Sequence, residues 1–190
     1  MKERELVVFS LLALTPALHG CFPAVVAGGG AAVLVADDRR SSGTMMDDEA
    51  IERNANARIS EKYAKRVHVD VTSYNRFVLL VGEVPSQEIK DDIGVIALGV
   101  ENVRNVQNDL AIEAIPSTGT LANDAYLTSV VKARFAGESK FHANRVKVVT
   151  ENAVVYLMGL VTHKEGEEAA EIASTTSGVE KVVKVFEYID

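Results

Sequence analysis

The side chains that could do chemistry in this sequence are one cysteine, four histidines and several clusters of carboxylates and hydroxyls. Cys21 has no second cysteine to pair with, so an intramolecular disulfide and a Cys-rich zinc site are both excluded. Beyond the first 20 residues the histidines are His68, His142 and His163, and no two of them stand three or four residues apart. A local metal-binding pair is therefore missing, and the expectation is no metal. Serines and threonines are plentiful, yet none sits in a G-x-S-x-G elbow. Asp91-Asp92 and Glu165, Glu167 and Glu168 fall at the starts of expected helices, where the helix dipole accounts for them, and nothing selects a glycosidase-type acid pair. These residues predict a protein that is not an enzyme, with no cofactor and no small-molecule substrate. Composition narrows the classes further. The 190 residues are 47% hydrophobic and 25% charged, as in a globular protein, with room for one large domain or two small ones. Twenty Lys and Arg against 27 Asp and Glu give a net charge of −7, which excludes a broad nucleic-acid footprint.

What Cys21 does depends on its surroundings. Lys2 and Arg4 precede an uncharged run from Leu6 to Leu18, too short to span a bilayer and interrupted by Pro16. It has the form of the apolar region of a signal peptide. The run ends in Leu18-His19-Gly20-Cys21, which resembles the lipobox of bacterial lipoproteins, with His19 departing from the usual small or apolar residue. The resemblance implies that residues 1–20 are removed and that Cys21 becomes an acylated N-terminus. At about 0.8 kcal/mol per buried CH₂, several acyl chains hold a protein on a membrane almost permanently. Phe22 follows the cysteine where an inner-membrane lipoprotein has Asp, so the resemblance implies an outer-membrane anchor with the globular part facing the periplasm. Gly28-Gly29-Gly30 lacks the Lys and Ser/Thr of a phosphate-binding loop. Residues 21–46 are expected to form the lipidated N-terminus and a flexible tether.

The elements downstream occur twice. Residues 75–84, NRFVLLVGEV, align with 152–161, NAVVYLMGLV, placing Asn75 on Asn152 and Gly82 on Gly159. Gly99-Val100-Glu101-Asn102-Val103 aligns with Gly178-Val179-Glu180-Lys181-Val182, and the stripe Ile51, Ala55, Ile59 with Leu127, Val131, Phe135. Three matches in one order indicate a duplicated module. Each copy predicts a helix led by an Asp N-cap (Asp48 to Tyr63; Asp124 to Phe135), then a strand at 67–72 or 145–150. A turn and a more apolar strand follow (Phe77 to Val84; Val154 to Val161), then a second helix (Ser86 to Leu98; Lys164 to Ser174). A last strand (Val103 to Ile112; Lys181 to Ile189) completes the order αββαβ. The expected class is α+β: two tandem domains at 47–114 and 121–190, each a three-stranded mixed sheet packed on two helices, joined by a linker at 115–120. Gly82 and Gly159, inside strands, mark a close backbone approach or a bulge.

The strand pattern V-x-L-x-G-x-V around Gly82 and Gly159, followed by a helix and then G-V-x-x-V, resembles the BON domain of bacterial envelope proteins. Two such modules behind a lipobox resemble the dual-BON-domain outer-membrane lipoproteins. That resemblance implies a role in outer-membrane integrity and binding of anionic phospholipid by the second domain.

Comparison of the two copies shows where such binding fits. Residues 47–73 carry five basic and six acidic side chains, whereas residues 121–150 carry five basic and two acidic ones. Leu127, Val131 and Phe135 repeat the core stripe of the first copy, but Tyr126 and Val130 replace Ala50 and Asn54, a change the shared core does not require. With Ala133 they make a second apolar stripe flanked by Lys132 and Arg134, suited to a headgroup interface. Tyr126, Val130, Lys132, Ala133 and Arg134 are thus the candidate phospholipid-binding residues, with an anionic membrane as the expected partner. The other reading is an adaptor that binds an envelope protein, such as the outer-membrane protein assembly machinery, through this stripe or the first domain.

Overall fold

The computed structural model describes residues 38–115, 117–138 and 143–190. The expected signal peptide, Cys21, the tether up to residue 37, Lys140 and His142 lie outside the described residues.

Apolar side chains at every fourth position drive the first helix, α1 (Ser42–Tyr63), whose Ile51, Ala55, Ile59 and Tyr63 are all buried. It starts earlier than the expected Asp48, because the Ser41 hydroxyl accepts the Thr44 N–H and caps it. Asp48 is not a cap. It lies buried inside the helix and serves the turn of the hairpin formed by β1 (His68–Tyr74) and β2 (Phe77–Val84). Asn75 and Arg76 in that turn both have positive φ (52° and 64°), as a tight hairpin requires. The Asp48 carboxylate accepts their backbone N–H groups at 2.9 and 2.7 Å, and the Ser73 hydroxyl at 2.7 Å.

Helix α2 (Gln87–Leu98), capped by Ser86, leads back to strands parallel to β2. The single strand expected from Val103 to Ile112 is two pieces, β3 (Asn105–Asn108) and β4 (Ala111–Ile112), so the first sheet has four strands rather than three. Buried Leu110, turning into the core between the pieces, interrupts the ladder.

The second copy repeats this plan with α3 (Thr118–Gly137), β5 (Val146–Glu151), β6 (Val154–Val161), α4 (His163–Ser174) and β7 (Lys181–Tyr188). Its sheet is three-stranded, antiparallel between β5 and β6 and parallel between β6 and β7. Helix α3 begins under the cap of Ser117, so the expected linker at 115–120 ends where Thr118 enters the helix. Asp124, also expected as a cap, is the counterpart of Asp48: it accepts the N–H groups of Asn152 and Ala153 at 3.0 and 2.9 Å, again in a positive-φ turn. Thr162 and Glu165 form a capping box on α4. The strand glycines do allow close approach. A Cβ on Gly82, whose φ is +118°, would meet the His68 carbonyl oxygen at 2.2 Å, and one on Gly159 would meet that of Arg145 at 2.4 Å.

Alternation along the strands gives each sheet two buried faces. Val71, Val78, Leu80 and Val84 pack on α1 and α2, and Val148, Val155, Leu157 and Val161 on α3 and α4. The opposite faces meet each other. Tyr74, Leu79 and Val81 of the first sheet pack against Val149, Tyr156, Met158 and Val185 of the second in one shared cluster. The molecule is thus layered helix, sheet, sheet, helix, and the described residues belong to one compact unit. Asp38, Arg39 and Arg40 strap this unit instead of extending the tether expected to reach residue 46. Arg39 forks onto Glu165 of the second domain, while Arg40 binds Asp38 and Asp48 and stacks 3.9 Å above the Tyr74 ring.

Candidate functional site

Among the described residues, two places bring chemically capable residues together: the outer side of α3 and the polar end of the junction between the sheets.

On α3 the buried stripe of Leu127, Val131 and Phe135 turns the helix so that Tyr126 and Ala133 face outward. Tyr126 is 64% exposed. Val130 is half-buried between them, and the spacing of the three puts them on one side. Lys132 is exposed. Arg134 is placed differently. Its guanidinium donates to the Ile172 carbonyl (2.6 Å) and to the Thr176 and Thr175 hydroxyls (2.6 and 3.0 Å), binding the last turn of α4. Two other basic residues of this region are also engaged: Arg145 with Glu165 at 2.6 Å and Lys147 with Glu52 at 2.6 Å. The local excess of positive charge read from the sequence is therefore largely spent inside the fold. What remains is a helix whose one carboxylate, Asp124, is buried on the turn, so that α3 exposes Lys132 and no acid. The first domain's α1, in contrast, exposes Glu49 and Glu61. Among the described residues no helix is long and apolar enough to cross a membrane.

The second place was not signalled by spacing. His68 on β1, Glu83 on β2 and Glu151 on β5 point into the junction, and their ligating atoms all lie within 4.8 Å of one another. His68 Nδ1 is 2.9 Å from Glu83 Oε2 and 3.8 Å from Glu151 Oε1. Glu83 is 1% exposed, and its other oxygen accepts the side-chain N–H of Asn152. Burial and the neighbouring Glu83, Asp124 and Asp70 charges push the Glu151 carboxyl up to about 8. A matching contact closes the junction elsewhere, where Asn75 Nδ2 donates to Glu187 at 2.8 Å. The signal in the sequence was the alternation of β1, which puts His68, Asp70, Thr72 and Tyr74 on one face. What it lacked was the knowledge that a second sheet covers that face.

The remaining described histidine, His163, stacks on Tyr188 at 4.0 Å and pairs with Asp190 at the surface.

The family model of the BON domain matches residues 47–114 and 123–190. The chain is 40% identical to "Outer membrane lipoprotein DolP" of Haemophilus influenzae, over 95% of this chain and 94% of that one. It is 32% identical to "21 kDa hemolysin" of Actinobacillus pleuropneumoniae, over 77% and 76% of the two chains. It is also 31% identical to "Osmotically-inducible protein Y" of Escherichia coli, over 72% and 70%.

Proposed function

The chain belongs to the BON-domain family, and on that footing we propose that it is a non-catalytic lipoprotein of the bacterial outer membrane. In this reading Cys21 carries the acyl anchor, the two domains face the periplasm, and the second domain docks on anionic phospholipid through the outer side of α3 in support of membrane integrity. The observation that carries the docking is Tyr126, largely exposed beside Val130 and Ala133 on a helix that exposes Lys132 and no carboxylate. The core of the duplicated module does not require a large aromatic there, since the first copy has Ala50 at that place. A phenol ring with a polar tip suits the headgroup layer, and a nearby lysine adds about 1 kcal/mol at an anionic surface. The name of the H. influenzae relative supports the outer-membrane placement.

The test is flotation of residues 38–190 with vesicles of zwitterionic lipid alone or with added anionic phospholipid, at low and high salt. Salt-sensitive flotation with anionic vesicles, lost in Tyr126→Glu, is the expected result. Absence of flotation, or flotation unchanged in Tyr126→Glu, removes α3 as the docking surface.

One observation favours a protein-binding adaptor as the second reading. Counted from the caps Ser86 and Thr162, the exposed Val95 and Leu98 of α2 stand where the second domain has Glu171 and Ser174. Val95 borders a cleft with Arg58, Lys62 and Gly99. Loss of a reproducible cellular cross-link in Val95→Glu, with lipid flotation intact, would support this reading for the first domain.

A further inference from the structure

We infer that His68, Glu83 and Glu151 form a divalent-cation site that joins the two BON domains, with zinc as the fitting ion. An imidazole and two carboxylates are all zinc donors, and a water can complete four-coordination. Tetrahedral coordination at about 2.0–2.2 Å from the metal separates neighbouring donors by roughly 3.4 Å. The observed 2.9 and 3.8 Å from His68 Nδ1 to the two carboxylates bracket that spacing.

Three features mark a built site rather than a chance meeting of acids. Glu151 is 9% exposed, and its Oε1, the atom turned toward His68, accepts no hydrogen bond. Leaving a buried carboxylate oxygen without a partner is costly, and a cation removes the cost. Second, Glu83 is oriented from outside the set, because Asn152 holds Oε1 and leaves Oε2 for the site. Third, Glu151 stands among the acidic groups Glu83, Asp124 and Asp70 and is hydrogen-bonded to Glu83, with His68 the facing base at 3.8 Å. Lys147, which lines the same cleft, is drawn away to Glu52 and the Ser73 carbonyl. The cleft, about 480 Å³ and bordered by His68, Asp70, Asp124, Thr150 and Glu151, gives the ion an entry path and room for its water.

The ligands come from both sides of a boundary: His68 and Glu83 from the first domain, Glu151 from the second. A bound ion therefore acts as a staple, and its binding energy adds to the cohesion of the two sheets. This inference is independent of the lipid-docking reading.

The test uses the full-length lipoprotein in detergent, stripped with chelator and then offered Zn²⁺ or Mn²⁺. The expected result is about one Zn²⁺ retained per chain after gel filtration, Mn²⁺ held more weakly, and a raised melting temperature with zinc. Glu151→Gln and His68→Gln should each weaken zinc at least tenfold, while His163→Gln at the surface should not. Glu151→Gln keeps the shape of a protonated carboxyl, so it preserves the fold, which circular dichroism checks. Failure of the folded wild-type chain to retain zinc overturns the site, as does zinc retention unchanged in both variants. Zinc lost only in His163→Gln would overturn it equally.

Discussion

The Asp124 carboxylate accepts the backbone N–H groups of Asn152 and Ala153 in the turn between β5 and β6, as Asp48 does for Asn75 and Arg76 in the other domain. Each aspartate is buried, so its charge is compensated mainly by these donors, with Arg40 assisting Asp48. Hydrogen bonds to a buried charge contribute about 1.5–3 kcal/mol each, and removing one side leaves the turn N–H groups unsatisfied. Asp124→Ala should destabilise residues 38–190 by roughly 3 kcal/mol in urea unfolding. A cost below about 1 kcal/mol would show that the turn closes without it.

Gly82 should tolerate no side chain. Its positive φ and the His68 carbonyl 2.2 Å from a Cβ position together prevent any local adjustment short of breaking the β1–β2 ladder. Gly82→Ala is expected to cost several kcal/mol, on the order of the largest single-residue effects, or to prevent soluble expression. Gly94→Ala serves as the milder control, since a Cβ there meets only the end of the Asn108 side chain.

The junction between the sheets predicts that the two domains depend on each other. Leu79 is fully buried although it points away from its own helices. Leu79→Lys should lower the melting temperature and enlarge the radius of gyration seen by solution scattering as the sheets part, since an unpaired ammonium cannot stay in that cluster. An unchanged scattering profile would count against the sandwich.

Stability should depend on pH through Glu151. In the unfolded chain its carboxyl titrates near 4.5, and in the folded, metal-free protein near 8. Below pH 4.5 both states hold the proton and the contribution is complete. As pH rises, the unfolded chain releases the proton first, so stability falls between about 4.5 and 8 and then levels. At about 1.4 kcal/mol per unit of displacement the fall amounts to a few kcal/mol. Melting of the chelator-treated protein should show this slope, and Glu151→Gln should flatten it.

Arg134 and Lys132, neighbours on α3, should behave differently. Arg134→Ala removes three hydrogen bonds to the end of α4 and should lower stability by roughly 1–3 kcal/mol. Lys132→Glu should leave stability within about 0.5 kcal/mol and change only vesicle binding. Equal stability losses in both would mean that Lys132 also supports the fold.

Much of the molecule is legible in the sequence because its signals are local. The period of four in Ile51, Ala55 and Ile59 and in Leu127, Val131 and Phe135 placed the core sides of α1 and α3. The alternation around Gly82 and Gly159 placed the central strands at Phe77–Val84 and Val154–Val161. The duplication follows from those patterns alone. Only tertiary structure decided the rest, because it turns on what covers a surface. Asp48 and Asp124 look like helix caps until the hairpin turns are seen against them. Arg134 looks like a free cation until α4 ends beside it. His68, Glu83 and Glu151 are scattered in the chain and meet only because the outward faces of both sheets, rich in Leu79, Val81, Tyr156 and Met158, bury each other and draw three polar side chains into one junction.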